Sequence, residues 1–328
     1  MNKNKRVVVI GTGGTIAGVG QEGKTGNYTS AQIKVEALVE EIPNLDSLTH
    51  VESVNMFDVD SSDITFDNLL EIAKYINKTE KDENIQGFVV TQGTDTLEES
   101  AYFLNLTVKT EKPVVVTGSM RPNTAISADG PLNLYQSIAL AKNEEAKGKG
   151  VLTVFCDGIY SAREVRKINT FRVDAFNQRD LGCLGYMRDD KVYFYNSPLK
   201  LHTLKTEFDI SNISKFPKVD IITFYMDASP EILDFAADHA DGLVIAGAGC
   251  GGTSTAWNNK ITKLLEKNYP IVRSSRIGNG LITFDEGELF TSGIGSNNLT
   301  PEKSRILLSL AISKTRNIYE IQDIFNKY

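Results

Sequence analysis

Short runs of β-branched residues alternate with helical periods along this chain, and that alternation limits the possible folds more than any other feature. It is the pattern left by parallel strands joined through crossover helices. Strands are expected at Arg6 to Ile10, Ile85 to Thr91, Pro113 to Thr117, Gly150 to Phe155, Val219 to Phe224 and Gly242 to Ala246. Leu69, Ile72, Ala73 and Ile76 recur at helical spacing, and Thr65 stands where an N-cap belongs. Similar periods predict helices at Thr96 to Leu106, Pro131 to Ala141, Pro230 to His239, Ser254 to Lys267 and Pro301 to Thr315, the last capped by Thr300 with proline at its first position.

A chain of 328 residues exceeds the roughly 250 to 300 at which a single core stops growing, so two domains are expected. Between Asn196 and Pro217 the alternation lapses into a polar segment with two prolines. This sets an N-terminal catalytic domain at 1–198, a linker at 199–217 and a smaller C-terminal domain at 218–328. The expected class is α/β, with a larger open and mostly parallel N-terminal sheet and a smaller C-terminal α/β domain.

Charge narrows the partners. The chain carries 35 basic and 42 acidic side chains, a net charge of −7, and no basic run beyond Lys3, Lys5 and Arg6. Neither nucleic acid nor an anionic membrane is expected as a partner. Apolar stretches fall short of the roughly 18 residues of a membrane span. Only Val7 to Ile10 precede Gly11, too short for a signal h-region. A cytoplasmic location is therefore expected, or a periplasmic one if a signal peptide was removed. Cys156, Cys183 and Cys250 are odd in number and widely spaced, which predicts reduced, buried thiols rather than a disulfide framework.

In an open parallel sheet the ligand lies beyond the carboxyl ends of the strands. The residues there are alike: Gly11-Thr12-Gly13-Gly14-Thr15 after the first strand, Thr91-Gln92-Gly93-Thr94-Asp95-Thr96 after the next, and Thr117-Gly118-Ser119-Met120-Arg121 after the third. Each loop alone is what a tight turn or an N-cap needs. Together, glycines that admit close backbone approach and hydroxyls that donate or attack point to a small polar substrate.

Other motifs fail on their context. The dinucleotide fingerprint begins with Gly11 and Gly13, but its third glycine would fall on Ile16. Gly18 to Thr25 matches the phosphate-binding loop literally, yet it follows the strand by eight residues, and Gly26-Asn27 blocks the helix that Lys24-Thr25 should open. His50, His202 and His239 are scattered, so no metal site is expected. Cys250, between Gly249 and Gly251, lacks the first glycine of a nucleophile elbow because Ala248 stands there. With so few histidines, a hydrolase on this scaffold needs another way to activate a hydroxyl, and a lysine oriented by a carboxylate can do this for threonine. Lys167 and Asp95 are candidates, although their spacing alone does not bring them together, and Lys167 also lies in a basic stretch with Arg163 and Arg166.

The loops carry a further pattern. Gly11 to Gly18, Gln92-Gly93-Thr94-Asp95-Thr96-Leu97-Glu98-Glu99, and Gly118 to Pro122 followed by Ala128-Asp129-Gly130-Pro131 resemble the bacterial L-asparaginases. So do Arg273 to Arg276 and Leu299 to Lys303 near the C-terminus, so the resemblance spans nearly the whole chain. It implies hydrolysis of the side-chain amide of L-asparagine to L-aspartate and ammonia, without metal or organic cofactor. It implies Thr15 as the nucleophile that forms a β-aspartyl ester, with Tyr28 on the mobile loop after it. It also implies Thr94, Lys167 and Asp95 as a second constellation acting on a water. Which threonine attacks first stays open at this stage.

By the same resemblance Ser61 holds the substrate α-carboxylate and Asp95 accepts from its α-ammonium, while the Gly18 to Thr25 match becomes part of a flexible lid. Ser62 stands where several members have glutamine, and Gly251-Gly252 where some have asparagine, which implies that glutamine is a weaker substrate. A glutamate given across a subunit interface would fall near Glu286 or Glu288. A homotetramer with sites at dimer interfaces completes what the resemblance implies. Two rival readings are a binding protein that keeps the pocket without turnover and a nucleotide hydrolase built on Gly23-Lys24-Thr25.

Overall fold

The computed structural model describes residues 5–283 and 293–328. The chain divides into two compact units, Met1–Ser211 and Asn212–Tyr328. Leu199 to Ser211, part of the segment expected to link the domains, belongs to the first unit. It is held there by burial of His202, Thr203, Thr206, Phe208 and Ile210, and the Lys109 ammonium donates to the carbonyls of Thr203 and Thr206.

The strands of the first unit are β1 (Arg6–Gly13), β2 (Val19–Gly20), β3 (Tyr28–Thr29), β4 (His50–Val59), β5 (Ile85–Thr91), β6 (Val114–Thr117), β7 (Val151–Phe155), β8 (Gly158–Ser161), β9 (Arg166–Lys167), β10 (Phe176–Asn177), β11 (Gly185–Arg188) and β12 (Lys191–Phe194). Its longer helices are α1 (Val35–Glu40), α2 (Leu45–Leu48), α3 (Phe66–Thr79), α4 (Leu97–Thr107) and α5 (Gly130–Ala141). Eight strands make one sheet in the order β12-β11-β8-β7-β6-β5-β1-β4. The pairs from β4 to β7 are parallel, and those from β7 to β12 are antiparallel. The sheet is thus mostly parallel, as the alternation predicts, and adds an antiparallel flank.

Within the parallel part the winding reverses beside β1. The chain steps outward from β1 to β4, then returns to the other side of β1 as β5 and continues to β6 and β7. Such a reversal leaves a crevice at the carboxyl ends of the two strands that flank it, here β1 and β5. The loop with Thr15 leaves β1 and the loop with Thr94 leaves β5. Topology alone therefore brings together two residues that lie far apart in sequence.

Strand β1 has Val7 to Ile10 fully buried, as a central strand covered on both faces requires. On one face Val7, Val9, Ile16, Val35, Leu38, Leu134 and Ile138 belong to one continuous core. Thr65 caps α3 as expected, its hydroxyl accepting from the Asn68 N–H while the Asn68 side chain accepts from the Thr65 N–H.

The second unit carries a separate parallel sheet, β13 (Val219–Thr223), β14 (Gly242–Gly247), β15 (Ile271–Ser275) and β16 (Ile294–Gly295), in that spatial order. Helices α6 (Glu231–His239), α7 (Thr255–Leu265), α8 (Pro301–Ile312) and α9 (Ile318–Lys327) accompany it. Trp257 and Leu233, both fully buried, pack with Leu243 and Ile245 in its core, and the Trp257 indole donates to the Ala228 carbonyl at 2.8 Å.

One expectation fails. The three cysteines are free, but Cys156 and Cys250 are exposed and Cys183 is only half-buried. Cys156 occupies, with Asp157, the two-residue turn between β7 and β8, and both have positive φ. In this turn at the end of the sheet Cys156 is exposed, while the Asp157 carboxylate accepts from Gln136 Nε2 at 2.6 Å. Cys250 sits in the loop that follows β14, between Gly249 and Gly251.

Candidate active site

The site begins with glycines. Gly14 has φ near +81°, a region that costs other residues, and a Cβ there would lie 2.1 Å from the Gly93 amide nitrogen. The β1 and β5 loops thus touch backbone to backbone. In the third loop a Cβ on Gly118 would fall 2.3 Å from the Gln92 carbonyl oxygen. Ser61, in a short turn after β4, packs its side chain against Gly93.

Thr15 opens a single helical turn just past Gly14 and is 8 % exposed. Its hydroxyl lies 2.8 Å from that of Tyr28. Tyr28 comes from β3, the second strand of a two-residue ribbon in which it pairs with Gly20. The stretch from Gly18 to Thr25, the literal phosphate-loop match, forms the first strand and turn of this ribbon, with no helix at Lys24.

Lys167 lies on β9, in the sequence-distant ribbon β9–β10. Its Nζ donates to Thr94 Oγ1 at 2.9 Å and to Asp95 Oδ1 at 2.5 Å. Thr94 is buried, the Lys167 side chain is mostly buried at 17 %, and the Asp95 side chain is open at 63 %. The threonine hydroxyl is therefore fixed by an ammonium on its inner side, while Asp95 keeps carboxylate surface toward solvent. Ser61 Oγ accepts from the Asp95 N–H at 3.3 Å, and the Ser61 carbonyl accepts from Thr96 Oγ1 at 2.7 Å. Ser61 retains its own O–H to donate.

The Ser61 turn has its own anchor. Asp60 accepts from the Ser62 N–H at 3.0 Å and from Ser30 Oγ at 2.8 Å. The Ser62 backbone bond, more than any other contact, holds the Asp60 carboxyl below its usual range.

Every residue expected at the site in the first unit is thus brought near another member: Thr15 with Tyr28, and Thr94 with Asp95, Lys167 and Ser61. The asparaginase N-terminal family model matches residues 6–200. The glutaminase/asparaginase C-terminal domain model matches residues 218–325. The chain belongs to the asparaginase family of amide hydrolases. It is 44 % identical to L-asparaginase 2 of Bacillus subtilis over 98 % of this chain and 86 % of that one. It is 38 % identical to the glutaminase-asparaginase of Acinetobacter glutaminasificans over 98 % of this chain and 99 % of the relative. The crystal structure of a probable cytoplasmic L-asparaginase from Campylobacter jejuni superposes with a TM-score of 0.95 at 42 % identity, covering 99 % of this chain and 100 % of that one.

Within this asparaginase-family chain the Gly118 to Pro131 stretch has a clear local role. Asp129 accepts from the N–H groups of Met120 and Arg121, each at 2.9 Å, and Arg121 donates to the Ser127 carbonyl at 2.8 Å. The loop so braced carries Thr124, whose carbonyl accepts from the Gly23 N–H at 2.9 Å and whose hydroxyl accepts from the Gly20 N–H at 3.0 Å. Thr124 therefore docks the ribbon that bears Tyr28. Nothing in the sequence marks that function, because a turn residue docking another turn leaves no periodic trace.

Gly251 and Gly252 follow β14 in the second unit, where Gly251 has φ near +84° and Gly252 exchanges backbone hydrogen bonds with Ala248. Glu286 and Glu288 lie outside the described residues.

Proposed function

We propose that this chain hydrolyses the side-chain amide of L-asparagine to L-aspartate and ammonia through a threonine nucleophile, with no metal or organic cofactor. The observation that carries the reading is the contact of Lys167 Nζ with both Thr94 Oγ1 and Asp95 Oδ1, beside a second threonine, Thr15, whose hydroxyl meets that of Tyr28. The names of the Bacillus subtilis and Campylobacter jejuni relatives supply the substrate.

In this scheme Thr15 Oγ1 attacks the amide carbon of bound asparagine. Its proton passes by way of the Tyr28 hydroxyl to the amide nitrogen, the carbon–nitrogen bond breaks, and ammonia leaves. A β-aspartyl ester on Thr15 remains, which divides one difficult hydrolysis into two easier steps. Thr94, held by Lys167 and Asp95, orients the water that adds to the ester carbon. The ester bond opens, a proton returns to Thr15, and L-aspartate is released. Ser61 donates to the substrate α-carboxylate and Asp95 accepts from its α-ammonium, so the zwitterion meets one donor and one acceptor.

Trapping tests the covalent step. Turnover of L-asparagine in hydroxylamine should yield aspartyl β-hydroxamate in proportion to the nucleophile added. Ammonia release with no hydroxamate at any concentration would remove the ester.

Glutamine is the weaker substrate in this reading. Ser62 offers no carboxamide after the carboxylate-binding Ser61. The name of the Acinetobacter relative shows that its own site accepts both amides. The enzyme acts in the cytoplasm, a reading supported by the name of the Campylobacter jejuni relative. It assembles as a homotetramer with sites at dimer interfaces. Support comes from the first unit, where Tyr186 and Tyr195, with ring centroids 6.2 Å apart, stand exposed on and beside the outer hairpin of the sheet. A tetrameric mass by light scattering is expected, and a monomer active at all concentrations would contradict it.

A further inference from the structure

Glu98 is 7 % exposed, yet it lies in the first turn of α4 only three residues beyond the open Asp95. A carboxylate is rarely buried unless it is held by donors. Here Glu98 Oε2 accepts from the backbone N–H of Lys167 at 2.5 Å. That N–H is not used in the ribbon: β9 and β10 pair Lys167 with Phe176, and the adjoining ribbon bond runs from the Ile168 N–H to the Ala175 carbonyl. Without Glu98 a partly buried backbone donor would lose this partner.

The segment from Thr94 to Glu98 therefore grips Lys167 at both ends. Thr94 and Asp95 hold its Nζ, and Glu98 holds its main chain. A lysine side chain has several rotatable bonds, so fixing the tip alone leaves the root free to drift, and fixing the root alone leaves the tip free. A two-residue strand such as β9 has too few ladder bonds to fix the root by itself.

We infer that Glu98 is a positioning residue for Lys167: its carboxylate anchors the lysine backbone so that Nζ stays within hydrogen-bonding distance of Thr94 Oγ1. The inference rests on the reaction scheme proposed above. Glu98 touches no reacting atom and acts through the lysine it holds.

Glu98→Asp keeps the charge and the favourable position in the first helical turn but withdraws the oxygen by one carbon–carbon bond, about 1.5 Å. It should lower kcat for L-asparagine by about tenfold or more, since displacements of this size are costly at a reacting centre, with KM within about twofold and the melting temperature little changed. Glu98→Gln keeps an oxygen acceptor at full reach and should restore most of kcat. Wild-type kcat in Glu98→Asp would overturn the inference, as would an equal loss in Glu98→Gln, which would trace the effect to charge.

Should Glu98→Asp fail to fold, hydrogen exchange on the unaltered protein decides. Slow exchange of the Lys167 amide, matching that of Ile168, supports the anchor, and fast exchange at Lys167 alone overturns it. Lys167→Met, measured alongside, separates this inference from the reaction scheme. Full turnover in Lys167→Met removes the scheme, whereas loss there with wild-type rates in Glu98→Asp removes only the role of Glu98.

Discussion

Gly14 and Gly93 meet backbone to backbone, so closely that a Cβ on Gly14 would lie 2.1 Å from the Gly93 amide nitrogen. Neither partner can yield, because the nearest atoms are main chain and Gly14 also has φ near +81°. Gly14→Ala should destabilise the chain by about 2 kcal/mol or more through combined overlap and left-handed strain. Denaturant unfolding measures this, and a midpoint equal to wild type would mean that the two loops separate at little cost.

The hydroxyls at the switch point carry the chemistry in the proposed scheme. Thr15→Ala and Thr94→Val should each cut kcat by about a thousandfold or more with unchanged thermal unfolding, as single deletions from a catalytic unit commonly do. Lys167→Met should lower kcat more than it raises KM. A change in KM alone would make Lys167 a binding residue.

Thr124 docks the ribbon that bears Tyr28, through its carbonyl and through its hydroxyl. Thr124→Val keeps the carbonyl and the branched shape but removes the acceptor for the Gly20 N–H. The loss of one such bond, about 1 kcal/mol, should show as a several-fold fall in kcat/KM for L-asparagine. Identical kinetics would show that the Gly23 contact is sufficient.

Acid should loosen the first unit through His202. Burial, aided by the nearby Lys205 charge, pushes the His202 pKa below its ordinary value. The fold therefore favours the neutral ring, which lies 3.0 Å from Thr203 Oγ1. The contribution is complete above the unfolded pKa of about 6.5 and falls as pH drops below it toward the lower folded value. Melting temperatures at pH 8 and pH 5.5 should differ less in His202→Gln than in wild type. An equal difference would assign the acid sensitivity to other groups.

Much of this organisation is legible in sequence, for reasons that differ between elements. Ile85 to Thr91 reads as a strand because a central parallel strand is apolar on both faces, and Thr65 reads as a cap because its partner Asn68 is three residues away. Strand β4 escapes the apolar rule because, among the described residues, it is the sheet edge, pairing with β1 alone, and it carries Glu52, Ser53 and Asn55. Lys167 could be attached to Thr94 only through family resemblance, since β9 and β10 are two residues each and leave no pattern. Glu98 belongs to the Gln92 to Glu99 motif, but its burial follows from the direction of α4 and from the return of Lys167 to it, and both are tertiary facts. The cysteines differ for a local reason: small thiols are usually buried, but Cys156 falls in a tight turn with positive φ and is exposed.

The proposed enzyme is a cofactor-free amidohydrolase selective for asparagine. Ammonia release from L-asparagine and L-glutamine, side by side, by the purified chain in EDTA decides whether it is one. Rapid release from asparagine and slower release from glutamine is the predicted result. A folded, oligomeric protein that binds asparagine and releases no ammonia from either amide would contradict it.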